Sequence, residues 1–292
     1  MGAVGGLNAG APIRSMRIRK RFGQHFLQPD WADKLVAVID PRPHDRFLEI
    51  GPGAGVLTLR LAPRVEHLTA VEVDRDLVAG LAPNLPPNVR LIESDFLAMN
   101  LDDIVAGGPA LRIAGNLPYN VASPILFRLL ESWREWARRF EAGPHGRTGS
   151  RPWRDATLMV QREVAERLEA SPGSREYGVL SICSQLYANV RRLLNLPPGA
   201  FRPPPQVHSA VVHLTFRPAV VALRDHRVFE QMVRAMFTQR RKMLSNALAP
   251  FAASRQVDPR AALEASGINP ARRPETLDLA ELGRLAEYFV EQ

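Results

Sequence analysis

Apolar and polar positions alternate in blocks along most of the chain. From about residue 31 to 216, short apolar runs are separated by amphipathic stretches. Trp31 to Ile39 places Leu35, Val36, Val38 and Ile39 at near-helical spacing, and Pro41 and Pro43 stop it. Phe47–Ile50 predicts a strand, followed by a Gly-rich turn and a helix from about Val56 to Ala62. His67–Val73, Val89–Ile92 and Leu111–Ala114 predict three more strands, and Ser123 to about Phe140 a helix with Leu126, Phe127, Leu129, Leu130 and Trp133 on one side. Strand, turn, helix, strand at this spacing predicts an open, mostly parallel sheet covered on both faces. The fold class expected is therefore α/β and Rossmann-like.

Glu141 to Asp155 is polar, rich in Gly and Arg and without period, and predicts an exposed loop. Disordered filler is one expectation for it and an RNA-touching arginine loop the other. Thr157–Val160 resumes as strand, Glu163–Leu168 and Val179–Tyr187 as helix, and Ala210–Phe216 as strand. Beyond Pro218 the pattern is helical only: Val228, Phe229, Met232, Val233, Met236 and Phe237 form one stripe behind Asp225, a candidate N-cap. Three segments are expected: a flexible basic arm (1–18), a sheet domain (19–219) and a small helical domain (220–292).

The candidate chemistry gathers at strand ends. Phe47-Leu-Glu-Ile-Gly51-Pro-Gly53-Ala-Gly55 follows the first strand, and glycines there let a ligand approach the backbone. Position 56 is Val, which departs from G-x-G-x-x-G and lowers the case for NAD or FAD. Glu72 ends the second strand, where a carboxylate can accept both ribose hydroxyls. Asp95 and Phe96 end the third, suited to an adenine amino group and its ring. Together these groups favour an adenosyl cofactor. The fourth strand ends in Asn116-Leu-Pro118-Tyr119. An exocyclic base amine is a poor nucleophile, and an amide oxygen with a backbone carbonyl can hold it in line with a methyl donor while Tyr119 stacks on the base. That scheme needs no metal and no acid–base residue.

Charge sharpens the choice of partner. Thirty-eight Lys and Arg against 30 Asp and Glu give a net +8. Only Lys20, Lys34 and Lys242 are lysines, and Arg14, Arg17, Arg19, Lys20 and Arg21 all precede the first acid, Asp30. Such an arm is a nucleic-acid footprint, although a GC-rich genome also favours arginine. Arg191-Arg192, Gln239-Arg240-Arg241-Lys242, expected to open the second helix of the tail, and Arg272-Arg273 add basic clusters. No run approaches a membrane span, residues 1–12 lack a signal-peptide pattern, and Cys183 is alone, on an apolar helix. A cytoplasmic protein with a core cysteine is expected. The histidines show no paired metal spacing, and a Ser/His/Asp hydrolase would lack its nucleophile elbow.

With these motifs in order, the sequence resembles the small-subunit ribosomal RNA adenine N6,N6-dimethyltransferases of the KsgA (RsmA) type. Lys20-Arg-Phe-Gly-Gln-His-Phe-Leu27, Glu49–Gly55, Asn116–Tyr119, Tyr177-Gly-Val-Leu180, Phe201–Val212 and Gln239–Lys242 carry the likeness, which runs from about Arg19 to the C-terminus. It implies S-adenosylmethionine as donor, with His25 and Leu27 bordering it, Gly51 against its methionyl part, Glu72 on the ribose and Asp95 on the adenine. It implies Asn116 between donor and target amine, Leu117 lending its carbonyl, and Tyr119 and Phe201 stacking on a flipped adenine. The implied product is dimethyladenosine at two adjacent positions near the 3′ end of 16S rRNA in the assembling small subunit, made by a monomer late in ribosome biogenesis. His25 and His208 stand where the family commonly has Asn and Asp. A large-subunit RNA methylase and a non-catalytic nucleic-acid-binding relative are the rival readings.

Overall fold

The computed structural model describes residues 25–105, 109–141 and 151–291. The expected basic arm and most of the 141–155 loop (142–150) lie outside these described residues. β1 (Phe26–Leu27) and α1 (Pro29–Ile39) precede a run of α2 (Thr58–Leu61), α3 (Arg75–Leu81) and α4 (Asp102–Val105) set between β2 (Arg46–Ile50), β3 (His67–Glu72), β4 (Val89–Glu93) and β5 (Leu111–Asn116). Then come α5 (Ala122–Glu141), β6 (Trp153–Gln161), α6 (Arg162–Glu169), α7 (Val179–Tyr187), β7 (Ala188–Leu196), β8 (Phe201–Arg202) and β9 (Ser209–Phe216). The tail holds α8 (His226–Thr238), α9 (Leu244–Ala253), α10 (Pro259–Ala265) and α11 (Leu279–Glu291).

Seven strands form one sheet in the order β4-β3-β2-β5-β6-β9-β7, and β1 pairs with β8 outside it. β2 to β6 run parallel, and β9 is antiparallel to both β6 and β7. The α/β, Rossmann-like reading holds. The chain leaves β2 toward one side and returns to β5 on the other, so the order reverses between them and a crevice opens at their carboxyl ends. Phe47 and Leu48 on β2 are fully buried on opposite faces, as expected where helices cover both sides of a parallel sheet. One face packs on α1 and α2 through Leu35, Ile39 and Leu61. The other packs on α5 and α7, and that apolar cluster continues without a break into Phe229, Met232, Leu248 and Phe289 of the tail. The Trp133 indole on α5 donates to the Arg217 carbonyl at 2.8 Å, tying the helix to the chain leaving β9.

The local reasons are ordinary. Pro29 opens α1 with Asp30 in its first turn, and Asp40 ends it in a left-handed conformation (φ 51°). Asp225 caps α8 by accepting from the N–H groups of Arg227 and Val228, as its position predicts. Cys183 is buried on α7, and burial pushes its thiol up to about 12.

Three expectations need correction. β6 starts at Trp153 rather than Thr157, so the polar stretch Trp153–Asp155 is strand and not loop. Its polarity hides the strand because Asp155 is buried against Arg112 at 2.9 Å, and Trp153 is fully buried beside it. β7 went unread: a register shift between Arg192 and Leu194 breaks its period of two. Gln239–Lys242 forms the turn between α8 and α9 and does not open a helix, since α9 begins at Leu244.

Candidate functional site

The carboxyl ends of β4, β3, β2 and β5 lie side by side, which brings the four sequence-predicted groups to one rim. Gly51 has φ +71°, a left-handed value that turns the chain off β2 without a side chain to clash. Gly115 is required for a different reason: a Cβ there would sit 2.6 Å from the Ile50 carbonyl, so only glycine lets β5 close on β2. Between these strand ends lies a cavity of about 360 Å³ lined by His25, Leu27, Gly51, Glu72, Asp95, Asn116, Leu117 and Tyr119, among others. That volume lies within the ~300–1,000 Å³ of small-molecule sites.

Glu72 is buried, and its carboxylate accepts from three backbone N–H groups at 3.0 Å each, those of Gly53, Val73 and Asp74. Burial nevertheless raises its pKa above the ordinary value. An ionised carboxylate has about four lone-pair directions, so one remains for a hydroxyl. Asp95 is exposed at the end of β4, where its carboxylate accepts from the Leu97 N–H at 2.9 Å, and Phe96 beside it is buried in the lining.

The amide of Asn116 has a defined orientation. Its Nδ2 donates to the His25 carbonyl at 2.8 Å, a bond only the NH2 group can make. Its Oδ1 therefore points away from that bond as an acceptor. The Leu117 N–H donates to the Met159 carbonyl at 3.1 Å, which fixes the turn after β5. The Tyr119 hydroxyl pairs with Ser209 Oγ at 2.7 Å. The His25 ring lies stacked against the Tyr119 ring, with centroids 5.5 Å apart and planes 27° from parallel.

Phe201 does not join this group. It is buried in the α1-side core, paired with Leu27 across the β1–β8 ladder, and does not line the cavity. Two groups went unread in the sequence. Ser209 holds Tyr119 from a strand 90 residues away. Glu49, on β2, lines the cavity with 1% exposure, and its Oε2 has no hydrogen-bond partner among the described residues. Burial, followed by the charge of Glu72, pushes its carboxyl up to about 8. An acid inside an otherwise apolar strand was the only available signal.

The basic clusters divide in a consistent way. Arg240 pairs with Glu275 at 2.8 Å, Arg192 with Glu169 at 2.6 Å, and Arg272 with Glu281. Their neighbours Arg241, Lys242, Arg191 and Arg273 are exposed. No helix among the described residues is long and apolar enough to cross a membrane, and the described residues contain no group of three or more His, Cys, Asp or Glu suited to a metal ion.

Comparison with known proteins fits this geometry. The family model for ribosomal RNA adenine dimethylases matches residues 15–290. A ribosomal RNA small subunit methyltransferase A from Xanthomonas campestris pv. campestris (strain B100) is 42% identical over 272 residues, covering 92% of this chain and 95% of its own. Two solved structures share the fold: a dimethyladenosine transferase from Plasmodium falciparum, with TM-score 0.70, 22% identity and coverage of 91% and 98%, and the 23S rRNA methyltransferase ErmE, with TM-score 0.60, 23% identity and coverage of 91% and 99%. A family match over nearly the whole chain, together with a relative at this identity, makes this protein a member of the ribosomal RNA adenine dimethylase family.

Proposed function

We propose that this protein is an S-adenosylmethionine-dependent methyltransferase that dimethylates N6 of two adjacent adenosines near the 3′ end of 16S rRNA in the assembling small ribosomal subunit. The observation that carries this reading is the Asn116–Tyr119 turn, which sets an amide acceptor and an aromatic face at the mouth of a cavity suited to an adenosyl group. The residues present fit the donor. The Gly51 turn gives backbone access, Glu72 is placed for ribose hydroxyls and Asp95 for the adenine amine, while His25 and Leu27 form the opposite wall. Glu49, acidic and unpartnered, suits the methionyl ammonium.

When bound, S-adenosylmethionine supplies an electrophilic methyl group. Asn116 Oδ1 and the Leu117 carbonyl accept from the two N–H bonds of the target amine and turn its lone pair toward that carbon. The amine nitrogen forms the N–C bond as the C–S bond breaks; the thioether product leaves and the extra proton passes to solvent. A second round on the same nitrogen completes the dimethylamine. Positioning supplies most of the rate, and Tyr119, held by Ser209, fixes the plane of the base. Phe201 in its buried position takes no part.

The helical segment (220–292) serves to dock the substrate particle in this scheme, through Arg241, Lys242 and Arg273 rather than through Arg240 and Arg272, whose charges are spent on Glu275 and Glu281. Methyl transfer from labelled donor to immature small subunits, large-subunit RNA and a free oligonucleotide tests the whole reading. Labelled dimethyladenosine from the small subunit is expected. Label in large-subunit RNA, or in none of the three, would overturn it.

A further inference from the structure

The stack of His25 on Tyr119 has a second property beyond bordering the cavity. Both rings are half-exposed and both line the cavity mouth. Each is anchored at its far edge to the same short stretch of chain: His25 Nδ1 lies 2.8 Å from the Pro203 carbonyl, and the Tyr119 hydroxyl 2.7 Å from Ser209 Oγ. A carbonyl only accepts, so Nδ1 carries the proton and the ring plane is fixed. The rings thus face each other at 5.5 Å with their planes 27° apart. A base between two rings needs about 7 Å, two successive contacts of ~3.5 Å. An outward shift of roughly 1.5 Å therefore converts this ring pair into a base sandwich. Phe201, the other aromatic side chain expected here, is 1% exposed and absent from the cavity lining.

We infer that His25 is the second stacking face for the target adenine in this protein, so that the flipped base enters between the imidazole of His25 and the phenol of Tyr119. The inference rests on the methyl-transfer reading above and adds a substrate contact to it. The β1 segment that carries His25 makes the small movement needed, because β1 has only two residues and a single neighbouring strand.

The test compares wild type with His25→Ala, His25→Asn and His25→Phe. KM and kcat are measured on immature small subunits, and donor affinity by calorimetry with S-adenosylmethionine alone. A stacked base is worth enough that losing one face raises KM for the particle about tenfold. That rise is expected in the Ala and Asn variants, with recovery in the Phe variant and a far smaller change in donor affinity. An Ala variant whose KM is unchanged or lower would show that His25 merely covers Tyr119 and would overturn the inference. So would a parallel loss of donor affinity in the Ala and Phe variants, which would place the ring on the donor. Failure of wild type to methylate any RNA would instead sink the underlying reading, and is told apart because it appears before any variant is made.

Discussion

Buried carboxyl groups stand at both ends of the same parallel strands, under opposite conditions. At the amino ends, Asp45 and Asp155 are met by Arg112, with Asp45 at 2.8 Å and Asp155 at 2.9 Å, while Arg154 reaches both and the Arg112 guanidinium also donates to the Ile39 and Asp40 carbonyls that end α1. Burial pushes Asp45 upward, but the hydrogen bond from Arg112, the Arg42 N–H and the charges of Arg112 and Arg154 outweigh it, so its pKa falls below 3.8. At the carboxyl ends, Glu49 has one unpartnered oxygen and holds its proton to about 8. The satisfied end behaves as a fastening. The unsatisfied end is a vacancy for a cation, because an unpaired buried acid costs stability unless a ligand meets it.

The sharpest way to break this contrast is Asn116→Ala. Turnover should fall by roughly 100- to 1,000-fold, the loss typical of removing one preorganised polar contact to the reacting group. Thermal melting should show little change. Near-normal dimethylation by that variant would refute the assigned seat of the amine. At the other end, Arg112→Met leaves two acids without their main partner and should cost about 3–5 kcal/mol in a denaturant titration. Wild type should also lose stability as pH drops through the lowered pKa of Asp45, since the unfolded chain takes up that proton first. The Arg112 variant should have lost most of this acid sensitivity.

Glu49→Gln is subtler. The unfolded carboxyl ionises near 4.5 while the folded one keeps its proton to about 8, so Glu49 lowers stability progressively across that window. The variant should therefore gain in melting temperature over wild type as pH rises from 5 to 8. A cationic donor favours the ionised acid, so donor affinity in wild type should rise with pH toward 8, and calorimetry on the variant should show a flatter profile. The smallest effect is expected from Arg241→Glu with Lys242→Glu. Particle methylation should weaken, its logarithmic salt slope should lessen by about one per lost phosphate contact, and donor binding should hold. Equal loss of donor binding would count against a docking role.

Much of this was legible beforehand, and the residues show why. Gly51, Glu72, Asp95 and Asn116 each follow an apolar run, so parallel pairing alone places them on one rim. Local backbone rules also foretold Pro29, Asp40 and Asp225. Asp155 was misread because its neutralising partner lies 43 residues away, and a charged triplet without its partner looks like loop. Phe201 was misplaced because an aromatic residue in a motif gives no indication of which way its ring turns; the β1–β8 ladder turns it into the core.

Sequence by itself determined the α/β order, the glycine turn and the types of group at four strand ends, since hydrophobic period and backbone freedom are local properties written residue by residue. Only the tertiary structure decided which acids are paired, which arginines are spent on fold contacts, and which two rings meet. Those outcomes depend on distances between residues remote in the chain, and the energy of a charge or a ring is set by its neighbours in space.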